Sequence, residues 1–181
     1  MKPMQALTLF GLPILVPAAA PMQLNVTAIG AHQGSSTLEC WQMDSPFTVS
    51  SGLGASSMAT AVLGGVSNIT YTIFASNFDA GPHNAPYAQW VVFLYGAAYV
   101  TLPDDDRYSA LITGGPFGIA FAADTQDVSV RGHRTQYPGI TETIGLQIPT
   151  ADGKVPAHLV LHPGPCSAGE IVGIQGFGAP A

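Results

Sequence analysis

The chain has 181 residues, enough for one domain with a single core. Apolar residues make up 47% of it and charged residues only 9%, with five Lys and Arg against eleven Asp and Glu and a formal net charge of −6. That balance excludes a basic phosphate-binding face, so nucleic acid is not an expected partner.

Taken from the N-terminus, Lys2 is followed by an apolar run over 6–16 and by Ala18, Ala19 and Ala20. This is the layout of a secretory signal peptide over 1–20, leaving a single domain over 21–181. The run is too short, and too interrupted by Pro13 and Pro17, for a membrane span. A buried N-terminal strand is the alternative. The expected location is therefore the secretory lumen or the cell exterior, with no membrane span in the mature chain. Cys40 and Cys166, the only two cysteines, are expected to pair there. They have no partners at zinc spacing. Two sequons, Asn25-Val26-Thr27 and Asn68-Ile69-Thr70, predict glycosylation. Asn68 is the better acceptor because it follows Gly64-Gly65 at a predicted strand edge.

Beyond the leader, helical periodicity is almost absent, and fifteen prolines and twenty-one glycines punctuate the chain. Runs rich in Val, Ile, Thr, Tyr and Phe predict strands over 38–43, 57–63, 67–74, 89–95, 97–102, 118–122, 132–137, 141–148 and 158–162. Turns fall at Gly64-Gly65, at 103–106, at Gly114-Gly115-Pro116, at Pro138-Gly139 and at 151–153. This many short strands in one domain predicts an all-β sandwich or barrel. The aspartates 104–106 are read as a solvated turn, because calcium-loop spacing is absent.

The stretch from Gly81 to Gly96 resembles the first motif of the cupin superfamily of small jelly-roll barrels. Gly81, His83, Gln89 and Gly96 fall on it, with Val91, Phe93 and Tyr95 alternating behind Gln89. Gly114-Gly115, Gly118, Gly132 and His133 resemble the second motif at longer spacing. The resemblance covers about 67–149 and implies a single cupin-like jelly-roll barrel. It departs where metal chemistry would sit: Ala85 stands at the second histidine position and Gln89 at the carboxylate position. His83 and His133 remain as strong donors and Gln89 as a weak one, so no metal or other cofactor is expected. His158 and His162 are the residues that would complete a metal site; the alternative places them at the surface.

Strand alternation sends Gln89, Val91, Phe93 and Tyr95 to one face and Trp90, Val92 and Leu94 to the other. The same rule groups Arg131, His133, Thr135 and Tyr137. Signal, sequons, low charge and degenerate motif together look like small secreted cupin-like proteins of filamentous fungi. Some of these act as hetero-Diels–Alderases in tropolone–sesquiterpenoid pathways. The implied function is a metal-independent cyclase holding an apolar small molecule. His83, Gln89, Arg131 and His133 would be its catalytic groups, with Tyr87, Trp90, Phe93, Tyr95, Thr135 and Tyr137 as substrate contacts. Two alternatives stay open: a metal-dependent cupin enzyme, and a secreted binding protein for an apolar small molecule. A homodimer is also left open. For the histidines the plain alternative is a satisfied core residue, and for Arg131 an exposed pair with Asp124 or Asp127.

Overall fold

The computed structural model describes residues 22–49 and 58–171, and the predicted leader lies outside them. Thirteen strands run in chain order, with no helix among the described residues: β1 (Gln23–His32), β2 (Ser35–Pro46), β3 (Thr48–Val49), β4 (Ala59–Thr60), β5 (Thr70–Phe74), β6 (Phe78–His83), β7 (Gln89–Tyr95), β8 (Ala97–Thr101), β9 (Ser109–Thr113), β10 (Ile119–Ala122), β11 (His133–Tyr137), β12 (Thr143–Pro149) and β13 (His158–Pro163). Seven form one sheet in the order β13-β2-β1-β10-β7-β12-β5, and four form a second in the order β6-β11-β8-β9. β3 and β4 make a separate ribbon. Neither large sheet closes on itself, so the hydrogen bonding describes a two-sheet all-β fold and does not extend to a closed barrel.

Local chemistry accounts for the joins. β1 and β2 form a hairpin across Gln33-Gly34, both at positive φ (51° and 84°), the turn type whose twist matches the strands it joins. β1 also pairs with β10, and this is the parallel pairing of the large sheet. Flanked on both sides, β1 carries an unbroken buried run from Asn25 to Gly30.

The two sheets meet over one core cluster. Ile29, Leu38, Phe93, Ala120 and Ala122 of the large sheet pack with Ala98, Val100, Ala110, Ile112 and Tyr137 of the small one. The other face of the large sheet carries a second cluster, in which Phe121 lies edge-on to Trp90 (ring centroids 4.9 Å apart) and tilted against Trp41. Cys40 of β2 bonds to Cys166 beyond β13, 126 residues later, as expected.

Predicted strand 89–95 coincides with β7, and most others agree within a few residues. Predicted 57–63 reduces to β4, and its first residue lies outside the described part. Four strands were not predicted, the two-residue β3 among them. β1 adjoins the segment read as a leader, β6 contains the turn-formers Gly81 and Pro82, and β9 follows the aspartate run. β6 tolerates its proline because it is the edge of its sheet.

Candidate functional site

β6 and β11 run antiparallel with His83 opposite His133. Their rings lie 4.5 Å apart between centroids, tilted by 55°. Gly132 makes this approach attainable: its φ is +63°, and a Cβ there would fall 2.1 Å from the His83 carbonyl oxygen. A side chain at 132 would push the two strands apart just where the imidazoles meet.

Each imidazole is oriented through Nδ1. His83 Nδ1 donates to the Gly81 carbonyl at 2.9 Å, while the Gly81 amide donates to Asp79. His133 Nδ1 lies 2.7 Å from Asp124 Oδ2. Because a carbonyl and a carboxylate accept, both Nδ1 atoms carry the proton, and both Nε2 atoms are left for another partner. Asp124 is fully buried. Its Oδ2 also accepts from Ser36 Oγ at 2.7 Å, and Ser36 is bonded to Ser129, whose hydroxyl receives the Gly132 amide. Asn84 donates to the carbonyls of Asp124 and Ser129. Oδ1 of Asp124 has no partner among the described residues. Burial, reinforced by the neighbouring His133, holds the His83 pKa below the usual histidine range, against the raising effect of the Gly81 carbonyl and Asp124.

The pair forms one wall of a cavity of about 100 Å³ between the sheets. Val91, Phe93, Val100 and Ile112 supply apolar walls, and Phe74 stacks on Tyr137 at 4.2 Å. Gln89 and Thr135 also line it, each about 95% buried, and neither makes a side-chain hydrogen bond among the described residues. Buried polar groups ordinarily have partners, so these two are set for one inside the cavity. Desolvation pushes the Tyr137 hydroxyl far above its usual pKa and keeps it protonated.

Of the predicted site residues, the structure brings His83, Gln89, His133, Phe93, Thr135 and Tyr137 together around this cavity. The other four lie elsewhere. Arg131 is exposed and donates to Asp104 at 2.5 Å and to the Pro103 carbonyl. Gly132 interrupts the alternation before β11 begins, so Arg131 does not share the face of His133. Tyr95 is half-exposed and meets Thr141, because the pairing of β7 with β12 slips at Ile144/Gly145 and leaves Leu94 unmatched. Trp90 is buried on the opposite face, its Nε1 donating to the Leu63 carbonyl. Tyr87 is exposed beside a separate outer basin.

The sequon residues differ as well. Asn25 is buried in β1, and its Nδ2, the atom a glycan would occupy, donates to the Glu170 carbonyl at 2.6 Å; Asn68 is exposed. His158 stacks on Trp41 (3.7 Å) and His162 bonds Glu170 at 2.9 Å, both on the edge strand β13. Neither lines the cavity. His162 and Glu170 do approach Cys40, whose sulfur is committed to the disulfide.

Sequence reasoning missed Asp124, Ser36 and Ser129. The available signal was a single carboxylate after the apolar run Ile119–Ala123, in a chain with few charges.

Among known protein families, curated proteins and solved structures, none matches the chain. The donor set can therefore be judged only on its own chemistry. Ala85 and Gln89 both line the cavity with His83 and His133, so these four positions hold two imidazoles, one neutral amide and a methyl group. The Asp124 carboxylate faces Nδ1 of His133. A divalent ion here would lack both a third strong ligand and a carboxylate to offset its charge, so the residues do not fit a cupin-type metal centre. Among the described residues no helix is long and apolar enough to cross a membrane.

Proposed function

We propose that the protein is an enzyme of the cyclase or isomerase type, acting on the oxygen-bearing end of a small molecule whose reacting part is apolar, by hydrogen bonding and proton transfer. The observation that carries this reading is a set of cavity-lining polar groups without a side-chain partner among the described residues. These are the two Nε2 atoms of His83 and His133, the Gln89 amide and the Thr135 hydroxyl. The Gln89 amide donates to a carbonyl oxygen on which negative charge collects, and an imidazole Nε2 accepts a proton from a hydroxyl or an acidic C–H. The apolar walls hold the reacting atoms in line, which lowers the barrier without a nucleophile.

A hetero-Diels–Alder reaction within a cupin-like jelly roll is the narrower form of this proposal. With Arg131 outside the cavity, its oxygen donors are Gln89 and Thr135. A cavity of about 100 Å³ takes on the order of one small ring, given that a cavity of about 150 Å³ admits benzene. It grips the reacting end of such a substrate rather than the whole. The disulfide and the predicted leader support action in the secretory lumen or outside the cell.

The test is adduct formation between a tropolone-derived quinone methide and a terpene alkene, followed by mass spectrometry with wild type, His133→Ala and Gln89→Ala. The expected result is conversion above the buffer rate that drops at least tenfold in both variants, with unchanged circular dichroism. Conversion at the buffer rate, with the ligand bound and released unaltered, would overturn the catalytic reading and leave a binding protein.

A further inference from the structure

The inner cavity is too small for the whole of any substrate larger than a ring, and the structure indicates where the remainder goes. Among its wall residues Pro86 is exposed, while Phe74, His83, Val91 and Gln147 are half-buried and the rest buried. Pro86 thus joins the cavity wall to the surface. Pro86 and Ala85 are also walls of a second, open space of about 860 Å³, lined further by Asn84, Tyr87, Thr125, Gln126 and Asp127. Ala85 bridges Thr125 in parallel pairing, and the Asn84 amide is tied to the carbonyls of Asp124 and Ser129. The wall between the two spaces is thus pinned to the segment that orients His133.

The outer basin differs in chemistry from the inner cavity. Tyr87 stands 61% exposed at its edge, offering a ring face. Asn84 spends its amide hydrogens on the backbone and keeps Oδ1 as an acceptor. Asp127 takes the Thr125 hydroxyl at 2.5 Å on Oδ1, a bond that also keeps its carboxyl ionised. Neither lysine nor arginine lines the basin. Such a surface accepts hydrogen bonds from hydroxyls, packs an aliphatic ring face on tyrosine, and repels carboxylate or phosphate.

From these features we infer that the ligand has two parts: a compact unsaturated ring in the inner cavity against His83 and His133, joined to a neutral hydroxylated portion, of the glycosyl or polyol class, in the outer basin against Tyr87. This rests on the site reading above and adds the substrate class.

The experiment compares 4-methoxyphenol, its β-glucoside and phenyl phosphate, using calorimetry for affinity and amide and histidine NMR shifts for location. The glucoside is expected to bind at least tenfold more tightly than the free phenol, with shifts at His83 and His133 and also at Tyr87 and Gln126. Tyr87→Ala is expected to bring the glucoside down to the affinity of the phenol, and the phosphate should gain nothing. If the phenol shifts the imidazoles but the glucoside gains no affinity, or the phosphate binds best, the two-part ligand is overturned and the inner site stands. If none of the three shifts either imidazole, the inner site falls with it.

Discussion

His83 and His133 have the same side chain but different environments: His83 bonds a backbone carbonyl and His133 a buried carboxylate. His83 loses its charged form to burial, so its folded pKa lies below the unfolded value of about 6.5. The sign follows from linkage: stability from this group is whole above about pH 6.5 and is lost as pH falls from there through the folded pKa. In an NMR titration the His83 ring signal should have a midpoint below 6.5, and His83→Gln should flatten the loss of thermal stability on acidification. A midpoint at or above 6.5 would contradict the buried neutral imidazole. Asp124 acts one bond further back, as a positioning residue. Replacing it by Asn keeps the volume but removes the anionic acceptor at Nδ1. The expected results are a tenfold or greater loss of conversion, a changed His133 tautomer in ¹⁵N NMR and a retained fold. An unchanged tautomer would show that Asp124 does not orient the ring.

At the scale of elements, β6, β7, β11 and the β6–β7 connection bring residues 83, 85, 89 and 133 to one cavity wall, although Ala85 offers no donor and Gln89 only a weak one. Ala85→His with Gln89→Glu should therefore create a divalent-metal site where the wild-type donor set falls short. The check is near-stoichiometric zinc or nickel retained by the double variant after desalting, and lost on adding His133→Ala. Failure to retain metal would mean the four positions do not converge. These same strands show how far the sequence could be read. Inward alternation along β7 was legible for Gln89, Val91 and Phe93 because a strand's period is two wherever pairing is regular. It failed at Tyr95, where the register slips, and at Arg131, where Gly132 turns the chain by positive φ before β11 starts. Both breaks depend on the partner strand or on a backbone torsion, which residue order alone does not display. Asp124 was hidden for a related reason: Ser36, whose hydroxyl donates to its carboxylate, lies 88 residues away in the chain.

For the whole molecule, the fold class and the disulfide were visible in composition and cysteine count, whereas the order of strands was not. The Cys40–Cys166 bond ties β2, the neighbour of edge strand β13, to the segment after β13 and closes a loop of 126 residues. Cys166→Ser should lower stability by about 2–5 kcal/mol in denaturant melts, with the cavity residues unshifted in NMR. A smaller change would mean that the packing of β13 on β2 already holds that edge. The parallel pairing of β1 with β10 carries a different consequence. β1 has its hairpin partner within a few residues, but its other edge stays open until β10 has been synthesised, and the sulfur partner of β2 comes later still. A ribosome-bound chain would thus carry an apolar strand with one bare edge until residues 119–122 have emerged. Assembly of the large sheet has to wait for β10, and until then that edge is open to mispairing with other chains.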